Sequence, residues 1–210
     1  SSAASDVYKR QDVMGWVNSL DHMRSFNPEF LFPSHTKPLS GDEVMAALTI
    51  YRDAIQFVHD QTIRLMNEGY YPDQIVEMID LPKEIKESPF LYEFYGTVRW
   101  SVKSIFSGYL GWFNGNPSDL DPLSRVEEAT RFSNIVGGNE NMLVALRQAI
   151  QAQDMQWALE LSDRLIALEY SLDEVNSLRQ DALRYIGERS SNPNKRNYFL
   201  TSAIELDKNF

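Results

Sequence analysis

No cysteine occurs in these 210 residues, so disulfides, a thiolate nucleophile and sulfur-ligated zinc are all excluded. Histidine is scarce. Only His22, His35 and His59 occur, and no H-x-H or H-E-x-x-H spacing joins them, so a complete metal site is not expected from this chain. Basic charge is also in short supply: 20 Lys and Arg stand against 30 Asp and Glu, a formal net charge of −10. That balance argues against a broad nucleic-acid or anionic-membrane surface, because both need a positive field. No apolar run approaches the roughly 20 residues that cross a bilayer, and neither a glycine-rich phosphate loop nor a G-x-S-x-G elbow is found. What is abundant is apolar and aromatic content, 43% and 12% of the chain. That content, spread over this length, is enough to bury one or two ordinary cores in a soluble fold.

Residues 1–11, SSAASDVYKRQ, have neither a helical nor a strand period and read as a non-native leader of the cloning-remnant kind. A helical stripe then begins with Val13, Trp16, Leu20 and Met23, spaced by three and four residues. Residues 29–33 are too short for a helix and read as a buried strand. The first forty residues therefore look like one helix-to-strand step of an α/β structure. From residue 40 onward the chain reads as helix nearly throughout. Ser40 with Glu43 has the spacing of a capping box. Val44, Leu48, Tyr51, Ile55, Val58, Thr62 and Leu65 mark a seam that wants a helical partner, and Gly69 ends it. Ser88-Pro89 reads as the start of a further long helix, with Phe94, Val98, Val102, Ile105, Tyr109 and Trp112 on one face and Tyr95, Trp100, Phe106 and Phe113 on others. Interior glycines at 96, 108 and 111 add to the expectation of close packing all round, as in a dimer core or a bundle. Tyr109, Trp112, Asn114 and Asn116 close that helix.

Ser124 with Glu127 repeats the capping box, for a helix ending at Gly137-Gly138. Helices are expected over residues 140–152, 155–168 and 172–187. One hairpin and its following helix resemble tetratricopeptide units, with Trp157 filling the gap between paired helices. Residues 190–194 read as a linker before a terminal segment over 198–206.

Among residues that carry chemistry, His22 and His59 sit within helices and read as surface or locally bonded. His35 lies just beyond a strand, where α/β folds place functional loops. The acidic pairs Asp42-Glu43, Glu127-Glu128 and Asp119-Asp121 sit at helix starts or in loops, where carboxylates favour amide dipoles and water. Tyr95, Arg99 and Lys103 recur at helical spacing in an otherwise acidic chain. They form a candidate clamp for an oxyanion such as sulfate or phosphate, with intrahelical or dimer salt bridges as the bland alternative.

PSHTKPLSGDEV, YRDAIQFVHDQTIRLMNEG, EFYGTVRWSVKSIFSGYLGWFNGNP and RNYFLTSAIEL together resemble the alkyl sulfatases of the metallo-β-lactamase superfamily. That resemblance covers residue 12 to the end and, after the leader 1–11, implies a mainly α chain in three parts. These are a helix-strand remnant of a metallo-β-lactamase-like catalytic domain over 12–39, a helical dimerisation domain over 40–189, and a linker with the start of a sterol-carrier-like domain over 190–210. It further implies a homodimer and an alkyl sulfate substrate, cleaved to alcohol and sulfate with two zinc ions in the whole enzyme. His35 matches one zinc ligand of that family, the others lying upstream; Tyr95 is the candidate sulfate contact and Arg99 a weaker one. Thr36 stands where a glycine is common in the motif. The isolated chain is expected to hold zinc poorly and to be inactive. A periplasmic or secreted bacterial location would follow if a signal peptide preceded it. The other reading, from a different class, is a non-catalytic all-helical dimerisation or scaffold protein.

Overall fold

A computed structural model describes residues 12–207; the leader over 1–11 lies outside them. The chain divides into two compact units, Ser1–Leu120 and Asp121–Phe210; among the described residues both are mainly α, with one small two-stranded hairpin.

In the first unit, α1 (Val13–Ser25) starts where the Asp12 side chain accepts from the Gly15 amide. Its stripe is rotated from the sequence expectation: Val17 and Leu20 are buried, whereas Trp16 and Met23 are exposed. Strands β1 (Phe30–Leu31) and β2 (Leu39–Ser40) pair antiparallel, Phe30 opposite Ser40 and Leu31 opposite Leu39. The expected buried strand is thus a short hairpin arm, and Phe30 and Phe32 are 57% and 75% exposed. Helix α2 (Asp42–Asn67) follows. Its seam is largely as the spacing predicts, with Val44, Leu48, Val58, Thr62 and Leu65 buried and Tyr51 exposed. Ser40 does not cap it. Gly41 takes that place at φ 60° with no side-chain bond, because the Ser40 backbone is held in the hairpin.

At its other end α2 closes with Gly69 at φ 88°. The Tyr70 amide donates to the Leu65 carbonyl and the Gly69 amide to Met66, a paired closure for which glycine suits the left-handed position. Two short helices follow, α3 (Pro72–Met78) and α4 (Lys83–Lys86). Helix α5 then spans only Val98–Leu110, which corrects the expected start at Ser88-Pro89. Thr97 is the true cap: its hydroxyl accepts from the Trp100 amide, and the Glu93 carboxylate accepts from the Val98 amide. Phe94, Tyr95 and Gly96 therefore precede the helix, Gly111 terminates it, and only Gly108 is interior. Within the single chain one face of α5 is buried. Val102, Ile105 and Phe106 pack with Val58, Leu65, Ile75 and Val76, each contributing roughly 1.5–3 kcal/mol of burial.

The second unit holds α6 (Arg125–Val136), α7 (Asn139–Gln151), α8 (Met155–Ala167), α9 (Leu172–Arg189) and α10 (Pro193–Asp207). The Ser124–Glu127 capping box forms as the spacing predicts. Successive helices pack on a core that includes Met142, Leu146, Ala158, Leu161, Leu165, Val175 and Ala182. The Trp157 ring meets Phe132 edge-on at 6.4 Å, and the Arg164 guanidinium lies 4.7 Å from the Phe132 centroid. Helix α10 begins earlier than expected and lies against α9, with Leu200 over Gly187.

Candidate functional site

The hairpin turn runs over residues 32–38, and Thr36 takes φ 76° within it. That left-handed conformation turns the chain at His35. Leu39, at the root, is buried with Leu20, Val44, Ala47 and Leu48, and Phe90 packs on the same cluster. The segment after Phe90 is thereby drawn past the hairpin before α5 begins. The consequence is a contact that no spacing in the sequence announces: the His35 and Tyr95 rings lie 5.0 Å apart, inclined at 39°. Both side chains are exposed, so an imidazole and a phenol stand together at the surface of the first unit, two groups able to donate to an anionic oxygen.

Arg99 and Lys103 do not join them. Arg99 donates to the Glu77 carboxylate at 2.8 Å, and the Lys103 ammonium lies 2.7 Å from Asp73. Both pairs tie α5 to α3 across exposed surface, where such bridges add little stability. The oxyanion clamp expected from helical spacing is therefore divided, because Tyr95 precedes the helix that carries the two cations.

His35 is one donor where zinc needs three or four. Among the described residues no three His, Asp or Glu side chains converge on a common point. The described residues by themselves do not fit a zinc ion.

His59 makes the local bond expected of it, to Asp60, but is buried and has a distant partner besides. Its Nδ1 lies 2.8 Å from the Asp60 carboxylate and its Nε2 2.8 Å from the Tyr109 hydroxyl. A carboxylate only accepts, so Nδ1 carries the proton and, in the neutral ring, Tyr109 donates to Nε2. This arrangement clasps α2 to α5. The Tyr109 partner lies fifty residues away and leaves no trace in local pattern.

In the second unit the strongest polar feature joins α7 to α9. Arg147 donates through Nε and one terminal nitrogen to the two Glu174 oxygens at 2.7 and 2.9 Å. Glu140 accepts from Arg147 and from the Tyr170 hydroxyl. The Arg147 bond holds the Glu174 carboxyl below its ordinary value, and the bond to Glu140 raises the Tyr170 phenol.

Comparison with known proteins accords with this architecture. The chain is 42% identical over 201 residues to a linear primary-alkylsulfatase from a Pseudomonas strain, covering 95% of this chain and 38% of that protein. It is 29% identical over 200 residues to an alkyl/aryl-sulfatase of Saccharomyces cerevisiae, covering 93% of this chain and 31% of that one. The solved structure of a stereoselective inverting sec-alkylsulfatase from Pseudomonas superposes with a TM-score of 0.85 at 29% identity, over 93% of this chain and 32% of the other. The chain thus spans 30–38% of the curated relatives it matches. The family model described as alkyl sulfatase dimerisation matches residues 71–209, which take in every helix from α3 to α10, and on that match the chain belongs to the alkyl sulfatase dimerisation family.

Proposed function

We propose that this chain is the self-associating helical module of an alkyl sulfatase, non-catalytic by itself, which pairs two copies of the enzyme. The observation that carries this reading is the match of residues 71–209 to the dimerisation family, together with α3 to α10 folding into packed helices over that span. Alkyl sulfate hydrolysis, the activity named for the relatives, belongs to the longer protein. Residues 12–39 are the edge of its catalytic domain, a reading supported by likeness that begins well before residue 71 and covers 95% of the chain. At that edge His35 and Tyr95 serve the sulfate ester. The phenol hydroxyl donates to a sulfate oxygen and lowers the cost of charge there, and His35 supplies one donor to a zinc site whose other ligands lie elsewhere. Zinc held by a full ligand set would supply Lewis acidity and an activated water. Sedimentation velocity on the purified chain across a wide concentration range tests the module: a dimer is expected, and a monomer throughout overturns the reading.

A further inference from the structure

Resting on that dimerisation reading, we propose that a second copy of the chain docks on the outer face of α5 and the turn that follows it. Trp100, Ser104 and Ser107 share the side of α5 opposite buried Val102, Ile105 and Phe106, as 3.6-residue periodicity requires. Beyond them Leu110 and Trp112 are 60% and 74% exposed, and Trp100 is 44% exposed.

Three observations select a second copy as the occupant. The first is area. Trp100, Leu110 and Trp112 are all exposed, and from side chains of ~150–250 Å² each they offer on the order of 400 Å² of apolar surface, about half of the ~800 Å² that each partner of a stable interface buries. The second is charge. In a chain that is 24% charged, residues 104–118 contain no charged side chain. Each copy carries a formal charge of −10, so two copies meet at lowest cost where no carboxylate must be desolvated or face another. The nearest cations on α5, Arg99 and Lys103, are already paired with Glu77 and Asp73. The third is position. All of this surface lies within the 71–209 span matched by the dimerisation family, and small side chains at Ser104 and Ser107 let a facing backbone approach closely.

Ser104→Arg tests the proposal, with Ile135→Arg on α6, an 83% exposed position in the second unit, as the comparison. Each chain is measured by sedimentation velocity, and circular dichroism melting confirms that it is folded. The expected result is a dimeric parent, a dimeric I135R and an S104R chain whose self-association is weaker by about 100-fold or more, since one arginine per copy would be buried unpaired. Trp112→Ser, which removes area and adds no charge, should weaken it in the same direction. A dimer undisturbed in both S104R and W112S overturns this interface while leaving the dimerisation reading intact. A parent chain that is monomeric overturns both.

Discussion

Thr36 shows how one backbone angle organises the surface around His35. At φ 76° a β-branched residue sits in the left-handed region, which costs roughly 1–2 kcal/mol that glycine avoids. Thr36→Gly should therefore raise the stability of the first unit by about 1 kcal/mol net, the gain being trimmed by glycine's greater freedom in the unfolded chain; thermal melting checks it. Glu174 makes a second prediction. Its carboxyl is held below the ordinary value of 4.5 by the two-pronged bond from Arg147. A depressed carboxyl stabilises the fold above the unfolded pKa, and that contribution is lost as pH falls through the lower folded value. Melting temperature should hold above about pH 4.5 and decline below it, and Glu174→Gln should flatten that decline; an unchanged acid limb would contradict the assignment. His35 was legible as a candidate by itself, from its place after a strand. Tyr95 was legible as a candidate too, but that the two are neighbours was not, because sixty residues of folding bring them together.

Helix ends were legible where a cap is local and uncontested. Ser124 with Glu127 forms the bonds its spacing implies, and Gly69 and Gly137 take the positive φ that closes α2 and α6. The same signal misled where another element claimed the residue. Ser40 pairs with Phe30 in the hairpin, and the segment after Ser88-Pro89 is drawn onto the Leu20–Leu39 cluster through Phe90, so neither starts a helix. In α9, Gly187 faces α10 at close range: a Cβ there would stand 2.8 Å from Leu200 side-chain carbons and 3.3 Å from Phe199. Gly187→Ala should therefore destabilise the second unit by about 1–2 kcal/mol despite alanine's better helix propensity, because overpacking outweighs the backbone gain. Denaturant unfolding, followed by far-ultraviolet dichroism, measures the difference, and a stabilised variant would show that α10 shifts freely.

The purified chain, supplied with zinc and a linear alkyl sulfate, should release no sulfate, because His35 brings one of the three or four donors that zinc needs. Turnover that a chelator abolishes would contradict this. Among the described residues, no helix is long and apolar enough to cross a membrane. The amino-acid sequence by itself determined the mainly α class, the placement of most helices and the likeness to alkyl sulfatases, since each rests on periodicity, caps or motif residues that lie close together in the chain. Tertiary structure decided which faces are covered. It turned the expected buried strand into an arm of a short hairpin with Phe30 and Phe32 exposed, left one face of the aromatic helix buried within the single chain, and separated Tyr95 from Arg99 and Lys103 while setting it beside His35. Those outcomes depend on packing between residues far apart in sequence, where competing apolar surfaces are ranked by what they can bury rather than by what stands next to them.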